Sequence, residues 1–346
     1  MKTKLLFFLL LILAIGFQEC QSPNHGNVKI GSILSLTGKM SNYGNSSKAA
    51  LRAINDIINK DRKEKGFPPF ELVIEDDKLE PKSGVDAAQK LIDIDKVSVI
   101  IGAQPSSVTL AIAPIAESKK TVVISPASTT TDLTIAGDYI FRTVLSGEYE
   151  GNVSADLYKQ HYNGKKLAVL YINNDYGLSL KKVFLSSVGV ADVLEVAYSE
   201  KDVDFKTYLT KIKDAGTEVV YILGYNEMVM VFKQAKEMGM NVNWIGAAQM
   251  GNKSLVDKLG TTADGVIFPS WEMNLEAIKT NNAEFYSLFQ KYSNNADLDP
   301  FAANAVDALS ILNVIIKDKP MSGEEIKNEL KQITPHNYTG IYPNFK

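Results

Sequence analysis

From Val28 onward, short unbroken apolar runs alternate with longer segments whose apolar residues recur every three or four positions. An unbroken run reads as a strand buried on both faces, and the three-to-four spacing reads as an amphipathic helix. VKIGSILSL is the first run, and Ser46 to Lys60 follows it with Ala50, Ile54, Ile57 and Ile58 on one helical face. FELVIEDD, VSVIIGA, TVVISPA and YIFRTV continue the strands, separated by helices over GVDAAQKLIDI and Ser107 to Ser118. The pattern then restarts with strands KKLAVLYIN, DVLEVAYS, EVVYILGY, NWIGAA and GVIFPS, and helices such as FKTYLTKIKDAG and EMVMVFKQAKEMG. AEFYSLFQKYS, PFAANAVDALSILNVIIKD and SGEEIKNELKQI are helices with no clear strand between them.

Such alternation predicts an α/β fold of two doubly wound parallel-sheet lobes with a ligand cleft between them. Ligands in such sheets lie outside the carboxyl ends of the strands. Two neighbouring strand ends, IIGA-QPSS and VVISP-ASTT, carry clusters of hydroxyl residues there and no acid, base or metal ligand.

The N-terminus breaks the pattern. Lys2 and Lys4 precede LLFFLLLILAIGF, an apolar run too short to span a bilayer comfortably, so residues 1–20 read as a secretory signal peptide. Cys20, the only cysteine, sits directly behind it and resembles the lipid-modified cysteine of bacterial lipoproteins, although Phe17-Gln18-Glu19 replaces the small residues expected before it. Cleavage after Gly16 is the competing expectation. Residues 21–27 then form a flexible tether. A single cysteine allows no internal disulfide, so the fold rests on its core. The formal net charge of −3 over 346 residues gives no reason to expect nucleic acid or an anionic membrane surface as a partner.

Catalytic chemistry is poorly supported. His25, His161 and His336 lie away from the predicted strand ends, and no G-x-S-x-G elbow is present. LSLTGKM has the wrong spacing for a phosphate loop, with Met40 where a magnesium-binding hydroxyl belongs. Asp76-Asp77 lacks a third ligand at metal spacing. No metal or cofactor is expected.

Binding fits better. Ser106 and Ser107 stand where a helix begins, so their hydroxyls and the free N–H groups behind them can hold a carboxylate, unless one serine merely caps the helix. Thr129 lies one loop away, and the Ala127 carbonyl can accept from a ligand donor. Tyr43, Tyr176, Tyr225 and Trp271 follow predicted strands, where they supply apolar walls with one polar tip.

These residues resemble the type I periplasmic binding proteins, specifically the leucine/isoleucine/valine-binding group that feeds ATP-driven importers. The resemblance runs from Val28 onward through IGSILSLTGKMSNYG, LVIEDDKLEP, VIIGAQPSS, VVISPASTT, YIFRT, LAVLYINNDYG, DFKTYLTKIKDAG, FKQAKEMG and GTTADGVIFPSW. It implies a receptor, not an enzyme, that closes on a small solute and presents it to the membrane permease of an ABC importer. The rival expectation is a sensor that reports the same solute to a membrane partner. The resemblance also implies that Ser106 and Thr129 hold an α-carboxylate and that Ala127 faces the ammonium group. Lobe 1 would comprise 28–145 plus 271–336, and lobe 2 would comprise 146–270 plus 337–346.

One departure concerns the ammonium. The family's second-lobe acid falls at about Ala248, in NWIGAAQMGN, where no residue can carry a negative charge. A buried ammonium without a counter-charge costs several kcal/mol. Either another acid reaches in, with Glu148, Glu227 and Glu272 as candidates, or the ligand has no ammonium, as in a simple carboxylic acid or an amide. The missing acid favours the second. The family also continues past TGIYPNFK, so a short or truncated C-terminus is expected.

Overall fold

The computed structural model describes residues 26–270, 273–333 and 340. The first sheet is made of β1 (Val28–Leu34), β2 (Phe70–Asp76), β3 (Val99–Ile101), β4 (Val122–Ser125) and β5 (Ile140–Arg142), in the order β2-β1-β3-β4-β5. Every neighbouring pair is parallel. The second is made of β6 (Leu167–Ile172), β7 (Leu194–Tyr198), β8 (Val219–Leu223) and β9 (Asn243–Gly246), also parallel, in the order β7-β6-β8-β9. In each sheet the winding reverses beside its first strand, which opens a crevice at the carboxyl ends there.

Helices connect these strands. They are α1 (Ser41–Glu64), α2 (Pro81–Gln89), α3 (Ser106–Lys119), α4 (Gly147–Tyr162), α5 (Asp175–Val188), α6 (Lys206–Asp214), α7 (Met228–Glu237) and α8 (Lys253–Leu259). After the second sheet come α9 (Leu275–Asn281), α10 (Ala283–Ser293), α11 (Pro300–Ile315) and α12 (Gly323–Leu330). The α1 helix is longer than its apolar stripe predicts, because its ends carry polar residues that periodicity does not register.

The unbroken apolar runs are explained by burial on both faces. Ile30, Leu34, Val99, Ile101 and Val122 pack on Leu309 and Leu312 of α11, while Ile33, Ile100 and Val123 pack the opposite face against Val108 and Ile112 of α3. Thus α11, late in the chain, returns to the first sheet. Arg62 ties α1 to the end of α11: its buried guanidinium donates to the carbonyls of Pro68 (2.7 Å), Ile316 (2.6 Å) and Lys317 (2.9 Å).

The run GVIFPS, expected as a strand, contributes only an isolated bridge between Ile267 and Ile245. Gly265 takes a positive φ and Pro269 lacks an N–H, so too little chain lies between them to extend a ladder.

The lobes are closed on one another. Met40, Tyr43, Ala127 and Phe301 of the first join the same apolar cluster as Tyr176, Tyr225 and Met250 of the second. Asn226 Nδ2 donates to Asn42 Oδ1 (2.8 Å), Lys39 Nζ to the Asp202 carbonyl (3.0 Å), and the Thr131 N–H to Ser179 Oγ (3.0 Å).

Candidate functional site

Most hydroxyls at the β3 and β4 ends hold the two loops to each other. Ser125 Oγ donates to the Ala103 carbonyl (2.6 Å), and Thr109 Oγ1 reaches the same carbonyl (3.0 Å). Thr109 and Ser128 share a 2.5 Å hydroxyl–hydroxyl bond, and Ser128 Oγ also donates to the Gln104 carbonyl (3.2 Å). This network leaves Thr129 out and uses Ser106 only through a 3.4 Å bond from the Thr130 N–H. Both residues are buried at the cleft.

Pro105, not a serine, occupies the N-cap of α3, and no side-chain cap bond is present. The first N–H groups of the helix therefore keep the anion-holding capacity that capping would have used. Ser106 is buried and Ser107 half-buried, so the two adjacent serines are not equivalent. The carbonyl of Thr129 accepts from the N–H of Gly147, the first residue of α4, at 2.6 Å. The hydroxyl-bearing loop after β4 and the second lobe are joined there, backbone to backbone.

Aromatic rings line the cleft from both lobes. Tyr176 and Tyr225 stack with centroids 5.5 Å apart, and Tyr43 meets Phe301 edge-on at 5.4 Å. All three tyrosines are buried, and burial pushes each phenol far above its ordinary range, so they act only as neutral hydroxyls. Tyr176 donates to Gln249 Oε1 (2.8 Å) and Tyr43 to the Gln249 carbonyl (3.4 Å). Phe301 and Gln249 were not singled out by the sequence.

The acids divide sharply. Glu148 is exposed. The buried stripe of α4 consists of Gly147, Glu150, Gly151, Ser154, Ala155 and Tyr158, a three-to-four spacing that includes Glu150 and skips Glu148. Glu150, missed by the sequence reading, accepts from the N–H of Ala248 at 2.8 Å through Oε1, while its buried Oε2 has no partner. Burial pushes its carboxyl up to about 7. Glu227 is also buried: its Oε1 accepts from Tyr198 OH (2.9 Å) and the Tyr225 N–H (3.0 Å), and its Oε2 has no partner. Cys20, Trp271 and Glu272 lie outside the described residues.

Asp76 and Asp77 prove structural. Asp76 Oδ1 accepts from the Leu36 N–H (3.0 Å), and Asp77 Oδ1 accepts from Ser35 Oγ (2.7 Å) and the Leu79 N–H (2.8 Å), fixing the loops after β1 and β2. Among the described residues no three potential ligands gather as a metal site, and no helix is long and apolar enough to cross a membrane.

Known proteins share this fold. The Leu/Ile/Val-binding protein homolog 3 of Brucella melitensis is 28% identical over 322 residues, covering 92% of this chain and 85% of that protein. The leucine-binding protein LivK of Thermotoga maritima superposes with a TM-score of 0.76 at 25% identity, over 88% of this chain and 87% of that one. A solute-binding protein of an ABC transporter from Rhodopseudomonas palustris, solved with 3,4-dihydroxybenzoic acid, shares the fold with a TM-score of 0.72 at 23% identity, over 87% and 84% of the chains. These are binding proteins rather than enzymes. With residues 27–345 matching the family model, two parallel sheets and a closed cleft between them, the chain belongs to the periplasmic binding protein family.

Proposed function

We propose that this protein is an exported receptor that closes on a small carboxylate-bearing solute and delivers it to the permease of an ABC importer. The observation that carries this reading is the pairing of two buried walls. Ser106 and Thr129 offer hydroxyls left spare by the loop network, opposite the Tyr176–Tyr225 stack. Neutral donors can hold an anion without a fixed counter-charge and let it go again. Closure is then ligand-driven to the extent that the solute binds the closed form more tightly than the open one. The ligands of relatives point the same way, with leucine, isoleucine and valine in the name of the Brucella protein and 3,4-dihydroxybenzoic acid bound by one structural neighbour. In this reading lobe 1 comprises 28–145 with 271–336, lobe 2 comprises 146–270 with 337–346, and Trp271 adds a further aromatic contact.

The test is native mass spectrometry of protein purified without denaturation, followed by calorimetry with any carboxylate found. A solute without a carboxylate group would overturn the reading. Cys20 is the proposed lipid-anchor site, behind a signal peptide over residues 1–20. The Cys20→Ser variant is expected to leave the membrane fraction for the soluble exported fraction. Unchanged partitioning would point instead to cleavage near Gly16.

A further inference from the structure

We propose that Glu150 is the specificity-determining acid of this cleft: it meets a positively charged group of a solute whose carboxylate rests on Ser106 and Thr129. The inference builds on the receptor reading above and names the charge pattern of the solute.

Three observations carry it. The first is the unfinished bonding of the carboxylate. One oxygen of Glu150 is bonded to the Ala248 N–H at 2.8 Å, whereas the other is buried with no partner. Among the described residues, the groups that face it are the Ala248 N–H from the loop after β9 and the phenols of Tyr176 on α5 and Tyr221 on β8, none of them cationic. A buried carboxylate in such company either keeps a proton or receives a cation from outside the chain.

The second observation is room. A recess of about 110 Å³ lies beside Glu150 and Ala248, lined also by Tyr149, Val153, Pro269 and Ser270. The third is position. Glu150 shares the first turn of α4 with Gly147, whose N–H holds the Thr129 carbonyl at 2.6 Å. Three residues of helix rise about 4.5 Å, which sets the Glu150 backbone within one helical turn of the Thr129 carbonyl. Glu227 is the less suited acid, because Tyr198 and the Tyr225 N–H already draw on one of its oxygens to hold the turn after β8.

The experiment is calorimetry with the standard L-amino acids, the desamino acid matching each one, and 4-hydroxybenzoate. The intact protein is expected to bind at least one amino acid about 100-fold or more tightly than its desamino counterpart, the scale of losing one partner of a buried charge pair. Glu150→Gln is expected to erase that preference while keeping desamino affinity, which also shows that the variant folds. Glu148→Gln, at the exposed acid two residues away, is expected to leave the preference in place. Adding Ala248→Glu to Glu150→Gln is expected to restore it by returning a carboxylate from the opposite side. Amino-acid affinity should also rise between about pH 5 and pH 8 as the acid ionises, and lose that slope in Glu150→Gln. Tighter binding of desamino acids or 4-hydroxybenzoate by the intact protein would overturn the role of Glu150 and leave the receptor reading standing. Retention of the preference by Glu150→Gln would do the same. Failure of every carboxylate to bind would overturn both.

Discussion

In the first lobe the helix after the first strand carries Tyr43-Gly44 in its first turn, and in the second the corresponding helix carries Tyr176-Gly177 in its first turn. A Cβ on Gly44 would stand 2.0 Å from the Ser35 carbonyl oxygen, and one on Gly177 would stand 2.0 Å from that of Ile172. Each glycine thus lets its helix settle directly on the end of a strand, and each tyrosine is carried to the cleft by that docking. The rest of the two walls differs. Lobe 1 presents hydroxyls, spare at Ser106 and Thr129, whereas lobe 2 presents stacked rings with the buried acids Glu150 and Glu227. The shared device sets where the walls stand. Their chemistry comes from loop residues and from one position on a helix stripe, so it can vary without disturbing the frame.

That division can be broken from either side. The largest effect is expected on the anion wall: Ser106→Ala with Thr129→Val should weaken carboxylate binding by about 2–5 kcal/mol in calorimetry, with the melting curve unchanged. Unaltered affinity would show that the spare hydroxyls do not touch the ligand. The frame should respond in the opposite sense. Gly44→Ala or Gly177→Ala is expected to destabilise the fold by about 3 kcal/mol in denaturant unfolding, since a backbone carbonyl must move to admit the methyl.

A third test separates the walls by pH. The ordinary glutamate carboxyl titrates near 4.5, and burial lifts that of Glu150 to about 7. Between these values the folded chain holds a proton that the unfolded chain releases, so stability falls as pH rises through that window. Burial also raises Asp299, the N-cap of α11, and Asp77 to about 6, and both act in the same direction. Thermal unfolding of the ligand-free protein is therefore expected to be easier at pH 8 than at pH 5, and Glu150→Gln should flatten part of that slope. The smallest effect is expected at the clasp: Asn226→Ala removes the 2.8 Å bond to Asn42 and should cost about 1 kcal/mol of apparent affinity, by favouring the open form.

Much of this was legible in the chain. The apolar runs mark nearly all the strands because both faces of a parallel sheet are covered, and the Tyr-Gly pairs and hydroxyl clusters mark the cleft because they follow strand ends. What escaped was governed by partners far away in sequence. GVIFPS is apolar enough for a strand, yet only Ile267 finds a neighbour. Phe301 looks like any core residue of an apolar helix until Tyr43 is placed against it. Glu148 and Glu150 are equivalent by charge, and only the helical face separates an exposed acid from a buried one. Counting the spacing from Gly147 through Gly151 and Ser154 would have picked out Glu150, because it is the acid within a run of small residues.

The bond between the Gly147 N–H and the Thr129 carbonyl also has a bearing on recombination. A Cβ at residue 147 would stand 2.7 Å from the Thr129 carbonyl oxygen, so the joint tolerates no side chain and reads none. A seam of main chain alone is indifferent to the sequence on either side of it. At this crossing, a second lobe from another member of the family can be spliced in after Ser146, provided that the glycine travels with it. A hybrid made in this way would keep the hydroxyl grip of one parent and take the counter-charge of the other, turning the choice of solute into a matter of exchanging halves.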